Sequence, residues 1–219
     1  MLNSEQVAHF QAFGFLILRN VFSPPEMDII EREADEIMTE DRGGAPFEGT
    51  ERQAVQPFFE RRPFINSLMD DDRIYLIAEG LLGPDFVLDQ SEGNLHVGDT
   101  TWHGGTSWKT LPWIKIGFYL EPLTRETGCL RIIPGSHLIG DTDFYAPLRE
   151  SAEKNEVFGM PQSEIPSVAL ECGSGDLIVF TENVLHASFG GRTGRHQHAV
   201  SFFKNPVTDS EIQYLPVHA

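Results

Sequence analysis

The stretch Gly98–Trp108 reads GDTTWHGGTSW. His103 closes a short β-prone run there, where an iron enzyme would place its first ligand, yet the position two residues on, where a carboxylate is expected, is Gly105. The chain has eight histidines, His9, His96, His103, His137, His186, His196, His198 and His218. Neutral imidazole suits a divalent first-row metal, although most histidines in a fold are structural. Context selects two of the eight. His103 follows GDTTW and His186 follows GDLIVFTENVL, so each comes after a Gly-Asp and a β-prone run, as ligands from paired barrel strands would. Asp99 is the carboxylate nearest to His103, but it lies upstream on the strand rather than in the turn beyond it.

The elements that must position these residues divide into a helical front and a β-rich remainder. Ser4 is a candidate cap for a short helix carrying Val7, Phe10 and Phe13, and GFLILRNVF reads as a buried strand and its exit. Ser23 caps a second helix with Pro24 in its first position and Ile29, Ile30, Ala34 and Ile37 at apolar spacing. Two more helices are expected over Phe58–Met69 and Arg73–Leu82, ended by Gly83-Pro84. From Phe86 onward FVLDQ, LHVGD, WIKIGFYLEP, CLRII, SVALEC, DLIVF and HAVSFFKNP recur between turn residues, the rhythm of a sandwich or jelly-roll. The section from Asp141 to Ile165 interrupts it with charge and an expected helix at Leu148–Val157, and reads either as a lid or as a solvated excursion.

Composition limits the rest. A chain of 219 residues, 40% hydrophobic and with no internal repeat or linker, is expected to form one domain over residues 1–219. Sixteen basic against thirty-three acidic side chains give a net charge of −17, which disfavours a nucleic-acid polymer or an anionic membrane as partner. No apolar run spans a bilayer and the first residues lack a secretory leader's pattern, so a cytoplasmic protein is expected. Cys129 and Cys172 lack metal-type pair spacing and read as free buried thiols.

Four segments, LNSEQVAHFQAFGFLILRNVFSPPEMDII, GDTTWH, TGCLRIIPGSH and GDLIVFTENVLHASFGGRTGR, occur in this order. In them the chain resembles the phytanoyl-CoA dioxygenase-like branch of the Fe(II)/2-oxoglutarate-dependent oxygenases. The resemblance implies a mainly β fold with flanking helices around a double-stranded β-helix, a jelly-roll or cupin-like core. It implies Fe(II) held by His103 and His186, and 2-oxoglutarate paired through its far carboxylate with Arg195, nine residues after His186. Arg192, in the glycine-rich turn, is the weaker match. A guanidinium suits that task because its planar fork matches a carboxylate. Ser188 and Thr100 are further candidates for 2-oxoglutarate contacts, each with an ordinary turn hydrogen bond as the alternative.

The chain departs from the family's His-x-Asp at Gly105. It is similar there to the halogenase branch, in which Gly or Ala stands in that place. The resemblance implies that the vacated position takes chloride or bromide beside 2-oxoglutarate, and that with O2 an unactivated C–H of a small molecule is halogenated, as in antibiotic and other natural-product biosynthesis. His103, Gly105 and His186 would then form the catalytic centre. The sugar of an adenine nucleotide is a candidate substrate, with Lys109, Arg125, Lys154, His196 and His198 as sources of positive charge and Trp102, Trp108, Trp113 and Phe118 as stacking surfaces. A hydroxylase with a natural or engineered Asp-to-Gly change and a metal-free binding module remain the alternatives.

Overall fold

The computed structural model describes residues 1–104, 111–138, 143–213 and 215. Helix α1 (Ser4–Phe13) is capped by Asn3 rather than Ser4. Asn3 Oδ1 accepts from Gln6 N–H at 2.8 Å and Gln6 Oε1 accepts from Asn3 N–H at 2.9 Å, so the cap lies one residue earlier than the sequence predicts. Strand β1 (Phe15–Leu18) follows, then α2 (Pro24–Asp41), which starts after Ser23 as predicted. The Glu26 carboxylate accepts from the Ser23 N–H and hydroxyl at 2.8 and 2.7 Å. After β2 (Gln53–Val55), the helix expected over Phe58–Met69 is broken into a 3-10 turn Phe59–Arg61, α3 (Pro63–Ser67) and a second 3-10 turn Leu68–Asp70. Pro63 brings no N–H to continue the first turn. The buried Glu33 carboxylate of α2 then accepts from Phe64 and Ile65 N–H at 3.1 and 2.9 Å, so α3 is started from a neighbouring helix. Helix α4 (Asp72–Leu82) closes the front.

The strands are β3 (Phe86–His96), β4 (Thr100–His103), β5 (Trp113–Phe118) and β6 (Leu130–Ile132). Helix α5 (Ala146–Arg149) and the hairpin β7 (Glu156–Val157) and β8 (Met160–Pro161) interrupt them, followed by β9 (Val168–Leu170), β10 (Leu177–Thr181), β11 (His186–Ser188), β12 (Arg195–Lys204) and a last helical turn α6 (Asp209–Ile212). They form an antiparallel major sheet, β1-β10-β5-β12-β3-β2, and a minor sheet, β4-β11-β6-β9. This is the jelly-roll core expected from the spacing of short strands.

Alternation along each strand decides what faces where. Ile114 and Ile116 of β5, Leu177 and Val179 of β10 and Val200 of β12 pack against Ile30 and Ile37 of α2 and Ile74 and Ile77 of α4. The intervening residues therefore point between the two sheets. There Ile132, Leu170, Ile178 and Phe180 fill part of the gap with apolar side chains.

The outer face of the minor sheet has no helix from the front to cover it. The interruption between β6 and β9 supplies the cover. Leu148, Val157 and Ile165 pack with Trp102, Leu185 and Phe189, and Trp102 Nε1 donates to Gln162 O at 3.0 Å. Residues 139–142 lie outside the described residues. Within the rest, the expected helix at Leu148–Val157 is only the single turn α5 followed by a hairpin. The described part of the segment is a packing layer rather than a loose excursion.

One buried polar group on the helix side makes stability depend on pH. His198 of β12 lies opposite Gly93 of β3, and Phe58 stacks on its ring with centroids 4.6 Å apart. A Cβ on Gly93 would lie 2.2 Å from Phe58, so only glycine leaves room for that ring. Neither ring nitrogen of His198 has a partner among the described residues, and burial pushes its pKa down from 6.5 to about 3. Between those values the unfolded chain takes up a proton that the folded one refuses, so stability present above pH 6.5 is lost as pH falls. From pH 7 to 5 this group alone contributes about 2 kcal/mol of destabilisation. His198→Phe is expected to lose about that much less than the parent over the same interval, measured by urea unfolding at both pH values. Equal losses in both proteins would assign the acid sensitivity to other groups.

Candidate active site

The two selected histidines meet because β4 and β11 are hydrogen-bonded neighbours in which His103 pairs directly with His186. Their rings lie 4.0 Å apart, centroid to centroid. His103 Nδ1 is 2.8 Å from Thr101 O, and His186 Nδ1 is 2.9 Å from Val184 O. In neutral rings these contacts place the proton on Nδ1 and leave an Nε2 lone pair on each. Burial, with His103 as a second cause, holds the His186 pKa well below its usual value, so this ring stays neutral. Both rings line a cavity of about 250 Å³ between the sheets.

Thr100 lines the same cavity although three positions separate it from His103, an odd spacing for one face of a strand. A bulge explains it. Thr100 pairs with Ser188 and His103 with His186, so β4 carries one more residue than the β11 stretch opposite. Trp102, beside His103, consequently points outward into the covering layer.

At another part of the cavity wall lies Arg195, the first residue of β12 and almost wholly buried. Glycines surround its end. A Cβ on Gly191 would come 1.3 Å from Nη1 and one on Gly128 would come 2.4 Å from it. Nη1 has no partner among the described residues, and burial lowers the guanidinium pKa. A buried, unpaired cation in a glycine-walled slot suits a carboxylate supplied from outside the chain. Ser188 lines the cavity too, with its hydroxyl donating to Gly128 O at 2.8 Å. Arg192 lies outside, largely exposed and 3.7 Å from Glu121.

A binding assay separates the two arginines. Arg195→Ala is expected to weaken 2-oxoglutarate binding by roughly 1.5–3 kcal/mol, the range for a hydrogen bond to a charged group. Arg192→Ala should change it little. Gly191→Ala, which crowds Nη1 without touching the ligand directly, should weaken binding in the same direction as Arg195→Ala. An Arg192 effect larger than the Arg195 effect would move the role to the turn.

Of the other sequence candidates, Asp99 Oδ1 accepts from Gly190 N–H at 2.7 Å, tying β4 to the turn after β11. Gly105, Trp108 and Lys109 lie outside the described residues. His196 is held by Glu121 and Asp35, at 3.2 and 3.4 Å, and His198 is beneath Phe58. Phe118 belongs to the helix-side core and Trp102 to the outer layer, so neither offers the cavity a stacking face. Tyr119 and Phe180 are the aromatic rings on its wall among the described residues.

Sequence reasoning missed the polar wall opposite the histidines. Lys115 of β5 is 2.9 Å from Glu92 Oε1 and 2.6 Å from Glu182 Oε1, all three side chains being at most 13% exposed. The carboxylates raise the Lys115 pKa against the opposing effect of burial. Arg52 binds Asn94 Oδ1 through Nε and Nη2 at 3.0 and 2.6 Å, and Asn94 and His96 both approach Gln197 Oε1. The alternation of Glu92, Asn94 and His96 was a usable signal. It reads equally well as the solvent face of a sheet, and it becomes an interior wall only once the second sheet is in place.

A double-stranded β-helix with two histidines converging at paired strand ends defines an oxygenase of the Fe(II)/2-oxoglutarate-dependent class. A family model for phytanoyl-CoA dioxygenase (PhyH) matches residues 10–199, and the chain belongs to that family. It is 26% identical over 224 residues to an ectoine dioxygenase of Sphingopyxis alaskensis, covering 88% of this chain and 72% of that protein. A phytanoyl-CoA dioxygenase domain-containing protein 1 homolog of Dictyostelium discoideum is 23% identical over 261 residues, covering 90% and 89%. Among solved structures, HygX from Streptomyces hygroscopicus with nickel and 2-oxoglutarate bound superposes with a TM-score of 0.78 at 22% identity, covering 95% of this chain and 89% of that one. No helix among the described residues is long and apolar enough to cross a membrane.

Proposed function

We propose that the chain is an Fe(II)/2-oxoglutarate-dependent halogenase acting on a small polar molecule. The observation that supports this most is the third ligand's absence. Gly105 stands where the carboxylate would be, and among the described residues no three His, Cys, Asp or Glu side chains converge as a metal site. His103 and His186 would hold the iron through Nε2, and Arg195 in its glycine slot would hold the far carboxylate of 2-oxoglutarate, with Ser188 and Thr100 beside it. The donor set fits, since two neutral imidazoles leave positions for an oxo-acid, dioxygen and a halide.

When bound, iron and 2-oxoglutarate supply the dioxygen-driven hydrogen abstraction and halide delivery. The protein's share is geometric and electrostatic. Thr101 O and Val184 O fix the imidazole tautomers. Burial around His186 and Arg195 keeps bulk water from the co-substrate. The charged and amide-bearing wall of Arg52, Glu92, Asn94, Lys115 and Gln197 suits a hydrophilic substrate better than an acyl chain. The sugar of an adenine nucleotide is the first candidate for binding assays, with Arg52 as the wall's available cation.

The test is an anaerobic titration with Fe(II) and 2-oxoglutarate, followed by chloride. A chloride-dependent shift of the metal-to-ligand absorption supports halide ligation. An absorption band indifferent to chloride favours hydroxylation, the second reading, which the likeness to ectoine dioxygenases supports. The absence of any metal-dependent band would leave a metal-free binding module.

A further inference from the structure

The cavity is not short of carboxylates. Glu92 and Glu182 both line it, together with His103 and His186, and both are bound by the same ammonium, Lys115 Nζ. Glu182 is the one close to the histidines along the chain. It precedes His186 by four residues in the turn between β10 and β11, and its carbonyl oxygen lies 3.1 Å from where a Cβ on Gly104 would be. That turn is outside any strand, so strand alternation does not tie the Glu182 side chain to one sheet face. Glu92 is so tied, because it sits within β3, and its second oxygen is 3.3 Å from Gln56 Nε2. Of the other cations in the described wall, Arg52 donates to the neutral Asn94 amide and acts on Glu92 rather than Glu182 through its charge, and Arg195 lies in its own glycine slot.

We propose that Lys115 determines what completes the metal's coordination: by binding Glu182 and Glu92 together it keeps Glu182 away from the metal, and so keeps the position vacated at Gly105 open to halide. The inference rests on the halide reading above. Without Lys115, Glu92 keeps the neighbouring Arg52 while Glu182 loses its cation, and a buried carboxylate left in that state strongly favours another positive charge. In a metal-loaded protein a divalent ion held by His103 and His186, which line the same cavity as Glu182, would supply one. A lysine buried in a sheet is thereby a specificity-determining residue, acting through the carboxylate it withholds.

The test uses cobalt(II) as a spectroscopic probe, with 2-oxoglutarate and without oxygen, so that it does not depend on turnover. In the parent protein, chloride should shift the cobalt d–d bands. Lys115→Met should bind cobalt tighter, on the order of tenfold, and lose the chloride response. Adding Glu182→Gln to Lys115→Met should restore it, and Lys115→Arg should retain it throughout. If Lys115→Met does not fold, Lys115→Met/Glu92→Gln removes one charge of each sign and carries the same expectation. A parent without any chloride response overturns the halide reading itself. A responsive parent whose lysine variants bind cobalt equally and respond equally overturns only the role of Lys115.

Discussion

Gly105→Asp is expected to abolish halogenation while iron binding survives or strengthens. Two residues after His103, the new carboxylate would occupy the open position and exclude chloride both by competition and by like-charge repulsion. Mass spectrometry of the product formed in chloride and in bromide separates the outcomes. The parent should give the chlorinated and brominated products, because an open site selects weakly between the two ions. The variant should give neither, and it would give hydroxylated product only if the cavity holds the substrate carbon where hydroxylation can reach it. A Gly105→Asp protein that halogenates at the parent rate would show that the missing carboxylate is not the halide's place, and the hydroxylase reading would take precedence.

His103→Ala and His186→Ala should each reduce iron-dependent succinate formation to background. On the proposed reading two imidazoles are the only strong protein ligands among the described residues, so the loss of either leaves one, whereas a site with three could retain partial occupancy. Changing groups that merely orient a ligand typically costs about 10–100-fold in affinity, so loss of a ligand itself should exceed that. Iron content after desalting and succinate yield are the two measurements. His186 is buried and neutral and His103 is exposed, so neither replacement takes a buried charge from the folded state, and both variants should stay folded by circular dichroism. Normal turnover with iron still bound would remove that histidine from the metal site.

Much of the architecture was legible because apolar periodicity and cap residues are local signals. Ser23-Pro24 marks the start of α2, and the strand series from Phe86 onward gives the two sheets. What the sequence could not show were effects that depend on a neighbour. The start of α3 depends on Glu33, thirty residues earlier in another helix. The segment after β6 looks polar and irregular, and its apolar residues make sense only against Trp102 and Phe189. At the site, His103, His186 and Arg195 could be picked out from strand ends and motif order. Lys115, Glu92 and Glu182 could not, because polar residues alternating in a strand look the same whether they face water or an enclosed cavity.

The bulge in β4 has a consequence for how this site tolerates changes in chain length. Side chains alternate along a strand, so a shift of one residue sends each to the opposite face. Thr100 and His103, three positions apart, share the cavity because the bulge absorbs one residue of β4, their partners Ser188 and His186 being two apart. Deleting one of the two residues between them would bring them to a spacing of two, which plain alternation keeps on one face, whereas deleting both, or straightening the strand at its present length, would turn one of them outward. The strand has a reading frame, and His103 stays in frame because the bulge takes up a single extra residue.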